Sequence, residues 1–318
     1  MIASISDGGL ALLKKVPLLG DYIRYQEGIE RQDKAIDERI ANEYKILNDP
    51  IVQAQFVQSF EPGVEREAVI GHILDTKARK QSNLNIAAVL KLICEQAKDV
   101  KREEVDEAPI HPDWWLLWFD RAKMTSDPMK QEVFARAMIE ETKSAGSVSP
   151  RFIRVLADLS VPEIQSFADV ADCFAKEGFL VDRFSMFGTR YSVSPLNLYE
   201  QQTLANAGLV TYHDGGLYFD LHPTYMIDQE HFFVRYRRST LVIQGDATTQ
   251  AIHFHSRLSP EGIVLRALLG ESKDTQNVEK VAMRIAKNAK LSITLHENQE
   301  HSFAREPFAS FSAEKNGT

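Results

Sequence analysis

The chain has 318 residues, 44% of them hydrophobic, a formal charge of −8 and two cysteines, Cys94 and Cys173. That length accommodates two domains with sizeable cores, while two cysteines so far apart exclude a disulfide framework and point to a reducing cytoplasm. The acidic balance excludes a surface that binds nucleic acid as a whole and leaves only a local basic patch for that role.

In chain order, the first elements are a short amphipathic segment and a polar helix. Residues 10–19 set Leu10, Leu12, Leu13, Val16, Leu18 and Leu19 around Lys14 and Lys15. The run is shorter than the roughly 20 apolar residues that span a bilayer, and no signal peptide is expected. It reads as a helix docked on the core and stopped by Pro17 and Gly20, with a membrane surface as the alternative partner. From Asp21 to Leu47 the sequence is polar, and Ile29, Ile36 and Ile40 form a narrow stripe suited to self-association in a short coiled coil. Pro50 ends that pattern.

A second helical run extends from about Glu65 to Lys98, with Ile86, Val89, Leu90, Ile93 and Ala97 on one face. After an acidic connector, Pro112 opens a helix that is apolar without a break from Trp114 to Phe119. Such a helix is expected to be buried on every side, with Trp114, Trp115, Trp118 and Phe119 as the core anchor. An exposed partner surface is the alternative use of those rings. Asp127 and Pro128 start the next helix, whose Met129, Val133, Ala137 and Met138 face inward; Glu140 and Glu141 read as a solvated face, and Gly146 as the stop. Ser149 and Pro150 restart the pattern. Ser160 with Glu163 has the spacing of a capping box, opening a helix to about Lys176 that buries Ile164, Phe167, Ala171 and Phe174. These short capped turns predict a compact helical bundle over 61–177, behind an N-terminal segment of 1–60.

Beyond Gly178 the composition shifts to aromatic and β-branched residues broken by Gly and Asp, the pattern of short strands. "HDGG" at 213–216 reads as a hairpin turn. "PLNLYEQQTLANAGLV" reads as a helix running through Gly208 into a strand. Ser259 and Pro260 open another helix, "QNVEKVAMRIAKNAK" supplies a third, and "LSITLHEN" a closing strand. Helices followed by strand, turn and strand resemble a winged-helix unit with extra strands over 178–300, followed by a flexible tail of 301–318. The expected class is α+β, mainly α: an N-terminal helical bundle, then a winged-helix-like α+β domain.

The segments "RKQSNLNIAAVL", "DWWLLWFDRAKMTSDPMKQEVFARAMIEE" and "SAGSVSPRFIRVLADLS" carry a family resemblance. In order and spacing they resemble the basic helix, the Trp-bearing helix pair and the Gly-Ser segment of a bacterial family known as domain of unknown function 2806. The resemblance spans residues 79–176, with a looser echo at "LSPEG". Phe134 and Ala145 stand where the family pattern has tryptophan and proline, and Pro150 falls inside its last segment. The resemblance implies a helical protein in a setting of phage defence or mobile elements, and it assigns no catalytic residue.

Histidine is the sharpest chemical signal, because His222, His231, His253, His255, His296 and His301 all lie beyond residue 220. His253 and His255 alternate across Phe254, and Asp220 and His222 share that spacing, so paired strands would gather imidazoles and a carboxylate suited to zinc or another divalent ion. A metal-dependent hydrolase or nuclease is the enzymatic alternative; hydrogen-bonded histidines on a sheet face are the plainer one. Gly245-Asp246 lacks the lysine and second glycine of a phosphate-binding loop, no Gly-x-Ser-x-Gly elbow occurs, and no motif calls for a cofactor. Arg235, Arg237 and Arg238, with Lys280, Arg284 and Lys287 of the late helix, offer contacts for the phosphates of a nucleic acid, as in a DNA-binding regulator, or for a protein partner. The acidic "HDGGLYFD" and the cation-free helix before it favour a protein. The reading is a non-catalytic interaction or sensing protein in the setting of phage defence.

Overall fold

The computed structural model describes residues 6–16, 51, 66–176, 178–181, 183–186, 189–192, 194, 196–220, 231–236, 239–244, 250–270, 276–289, 292–298, 307 and 309–312. The chain divides into two compact units, Met1–Ala157 and Asp158–Thr318. It is mainly helical, with two small antiparallel sheets.

The first unit begins with α1, Asp7–Lys15, capped by Ser6, whose hydroxyl accepts from Gly9 N and donates to the Val100 carbonyl. Leu12, Leu13 and Val16 are buried. Gly8 permits this seat: a Cβ there would lie 2.2 Å from the Lys101 carbonyl carbon. Next comes α2, Arg66–Gln96, whose 31 residues make a rod about 46 Å long at 1.5 Å per residue. Its Ile86, Val89, Leu90 and Ile93 are buried, the face that the 3.6-residue period indicates. Helices α3, Pro112–Lys123, and α4, Pro128–Lys143, pack against it. Asn85 of α2 donates to the Lys123 carbonyl at 2.9 Å, fixing the end of α3. The side chains of His111 and Asp127 accept from Asp113 N and Lys130 N, each one residue before a first-turn proline. Helix α5, Pro150–Asp158, is capped by Ser149.

In the second unit, α6, Val161–Val170, carries the expected capping box of Ser160 and Glu163. It does not run to Lys176. A 3-10 turn over Ala171–Cys173 ends it, because Phe174 pairs its backbone with Leu180 and Ala175 N bonds the Phe179 carbonyl. Gly178, at φ 85°, makes the turn between them. The buried Arg266 then donates to the carbonyls of Phe174 and Ala175.

Strands β1, Arg183–Met186, and β2, Thr189–Ser192, precede α7, Leu198–Asn206, and β3, Val210–Asp220. Then follow β4, His231–Arg235; β5, Ser239–Gln244; and β6, Gln250–Leu258. Helices α8, Pro260–Leu269, and α9, Gln276–Ala289, lead to β7, Ser292–Glu297, and β8, Ala309–Phe311. One sheet has the order β2-β1-β6-β3, the other β4-β5-β7-β8.

Two expectations are corrected here. Residues 213–216 do not turn the chain: they lie inside β3, whose register against β6 shifts between Tyr212 and Leu217. Five steps along β3 match two along β6, from Ser256 to Phe254, so a shift in register takes up the glycines, and the strand is not reversed there. Part of the expected tail is also structured, since Ala309–Phe311 pairs with β7 and makes β7 an inner strand. Three residues are too few to show an alternating pattern in sequence. The core of this sheet lies under α9, where Val278, Val281, Ile285 and Ala286 meet Val234, Leu241, Ile243 and Ile293.

Candidate functional site

The aromatic helix α3 is both anchor and surface. Trp118 is 0% exposed and its indole donates to the Phe134 carbonyl at 2.9 Å; Trp114 is buried and donates to the Val148 carbonyl at 2.6 Å. A buried indole N–H needs such a partner, and both acceptors come from the following helix and turn. Trp115 and Phe119 are half-buried, with ring centroids 5.6 Å apart, and the Lys123 ammonium lies 5.9 Å from the Phe119 centroid. Leu116 is 61% exposed. The expectation that no side of this helix meets water is therefore corrected: an unbroken apolar run covers every azimuth, but its packing partners α2 and α4 leave one azimuth open.

Glu141 is a second correction. It is 3% exposed, and its carboxylate accepts from Gly146 N at 2.8 Å and Val148 N at 3.0 Å. The acid closes the turn that carries the acceptor of Trp114, so it holds structure where a solvated face was expected. Asp106 acts similarly at the surface, accepting from Ala108 N and Ala145 N; those amides, Ala108 first, hold its carboxyl below the usual range. Lys15 donates to the Asp106 carbonyl at 2.7 Å, and an open groove of about 650 Å³ runs there between Lys14, Arg102, Asp7 and Glu107. Apart from the local Asp106–Ala108 bond, these contacts join separate turns, and no short sequence spacing announces them.

On α9, Lys280, Arg284 and Lys287 are exposed, opposite the face that covers the sheet. The Arg284 guanidinium donates to the Ser194 carbonyl, which ties that end of the row to the body of the unit. Arg235 is half-buried at the end of β4, while Arg237 and Arg238 lie outside the described residues. Cys94 and Cys173 are free and buried, and burial raises both thiols, that of Cys173 to about 12.

The two strands carrying Asp220 and the His253–His255 pair are neighbours. In the β3–β6 register Tyr218 faces His253 and Asp220 faces Ala251, which sets the Asp220 backbone two positions along from that of His253. The side chains of Asp220, His253 and His255 lie outside the described residues, as does all of His222. Among the described residues no three His, Cys, Asp or Glu come together as a metal site. His296 is buried and its Nε2 lies 2.9 Å from the Thr294 hydroxyl. The stripe of Ile29, Ile36 and Ile40 and the end of the first segment, residues 17–19, also lie outside. Among the described residues no helix is long and apolar enough to cross a membrane.

A family model described as "Protein of unknown function (DUF2806)" matches residues 72–282, from α2 into α9. No curated protein and no solved structure matches the chain.

Proposed function

The chain belongs to the DUF2806 family, whose description assigns no activity, and we propose that it is a non-catalytic interaction or sensing protein. In this reading an N-terminal helical bundle carries a winged-helix-like domain built on α7, β3 and β6. One observation supports it most. Helix α9 spends Val278, Val281, Ala282, Ile285 and Ala286 on the core and turns Lys280, Arg284 and Lys287 outward. The first set fills the core, and the second presents positive charge at the surface, of the sign that suits an anionic partner. Self-association through Ile29, Ile36 and Ile40 completes the picture.

Fluorescence anisotropy with a 20-base-pair duplex and, separately, an acidic peptide tests the contact. Lys280→Glu/Lys287→Glu should weaken whichever probe binds by about tenfold, the equivalent of roughly 1.4 kcal/mol. No binding by the unaltered protein to either probe removes the contact from the reading. A phage-challenge plating assay with the full chain tests the setting of phage defence, which rests on the resemblance of residues 79–176 alone. Unchanged plating efficiency counts against it.

The β3–β6 pairing favours one second reading, a divalent-ion site built on Asp220, His222, His253 and His255 in a hydrolase or nuclease. Elemental analysis of tag-free protein decides it. Less than a tenth of an equivalent of metal, with no change in melting on adding zinc, would sink the site.

A further inference from the structure

On α9 the residues turned away from the sheet form one row. At about 100° per residue, Lys280, Met283, Arg284 and Lys287 fall within an arc of about 100°, and the row is about 10 Å long. All four are exposed, Met283 by 40%. Val278, Val281, Ala282, Ile285 and Ala286 are buried, so among the described side chains of α9 only Met283 sets an apolar group among the cations. The helix carries three cations and one carboxylate, that of half-buried Glu279. Arg284 gives an N–H to the Ser194 carbonyl, which holds the guanidinium in place and cancels none of its charge.

The methionine chooses among anions. The phosphates of a duplex offer dense charge and nothing apolar to Met283. A long polyanion also meets the field of a chain whose formal charge is −8, which opposes it more than it opposes a short acidic segment. A protein surface supplies both chemistries, because interfaces set apolar side chains, methionine prominent among them, inside a charged rim. The unbranched thioether adapts to the shape it meets. A row two turns long, repeating at three and four residues, matches the row on another helix. Such an occupant carries an apolar side chain opposite Met283 and carboxylates one turn to either side, opposite Lys280, Arg284 and Lys287.

We propose that the face of α9 formed by Lys280, Met283, Arg284 and Lys287 docks an acidic amphipathic helix of another protein. The proposal rests on the reading of α9 as a contact for an anionic partner and names that partner's class.

Fluorescence anisotropy on the full chain tests it with two labelled probes. One is a three-heptad helical peptide with leucine at positions a and d and glutamate at e and g; the other is a 20-base-pair duplex. The peptide should bind in preference to the duplex. Lys287→Glu should raise the peptide's dissociation constant about tenfold, and Met283→Ser about fivefold. A peptide with lysine in place of glutamate should bind Lys280→Glu/Lys287→Glu more tightly than it binds the unaltered chain, because the charges are then exchanged. The substituted side chains are exposed, so an unchanged circular dichroism spectrum is the folding control. Binding of the duplex and not of the peptide overturns the helical partner and leaves an anionic contact standing. Peptide binding that Lys287→Glu weakens and Met283→Ser does not is contact by charge alone, and it overturns the apolar centre. Peptide binding indifferent to both substitutions overturns α9 as the seat. Binding of neither probe overturns this inference together with the reading it rests on.

Discussion

The hydroxyl of Tyr236 lies in the apolar core beneath α9, in a residue 1% exposed, and among the described residues it has no hydrogen-bond partner. A buried unpaired hydroxyl costs about 1–3 kcal/mol, so Tyr236→Phe should leave stability unchanged or raise it. Urea unfolding measures this, and a loss above about 1 kcal/mol would show that the hydroxyl is paired after all. Near it, burial raises the Cys173 thiol to about 12, with the Asp172 charge adding to the effect. An acid whose folded pKa exceeds its unfolded value of 9.0 gives stability that is complete below that pH and lost on the way to about 12. Alkaline weakening over that window should therefore shrink in Cys173→Ala, and the native thiol should resist alkylation at pH 8 until urea is added. At this scale the sequence is legible where partners are close along the chain. Ser160 and Glu163 announce their cap by spacing alone. Glu141 does not, because the amides it holds belong to Gly146 and Val148, beyond the end of its helix.

Among the elements, α1 depends on a residue that sequence reasoning passes over. Gly8 presses against the backbone of Val100, Lys101 and Arg102, and a methyl group there has no flexible side chain to displace. Gly8→Ala should cost about 1–3 kcal/mol by overpacking and raise amide exchange through Asp7–Lys15 first. Exchange unchanged in α1 would mean that the helix shifts on its seat without cost. The apolar side of α2 was readable because a 3.6-residue period depends on one element alone. The open side of α3 was not: Trp115, Leu116 and Phe119 look as apolar as Trp114 and Trp118, and only the placement of α2 and α4 divides them. The same holds for β3, where two glycines permit a turn, and pairing with β6 on both sides of them keeps one strand with a shift in register. Local chemistry limits the options, and tertiary partners choose among them.

For the whole molecule, the aromatic residues provide a selective probe. Trp114, Trp115 and Trp118 are the chain's only tryptophans, and all fall in the unit Met1–Ala157. The unit Asp158–Thr318 has its own core between α9 and the β4-β5-β7-β8 sheet. Two units with separate cores need not unfold together, and a single transition is the expectation only for one cooperative body. Urea unfolding followed by tryptophan fluorescence reads the first unit, while far-ultraviolet circular dichroism reads both. The two curves should not coincide. Gly8→Ala should move the fluorescence midpoint to lower urea, and Tyr236→Phe should leave it in place, with any gain in stability confined to the remaining dichroism transition. Coincident curves in the unaltered chain, moved together by either substitution, would show that the two cores form one cooperative body. Stability measured at either core would then report on the entire chain.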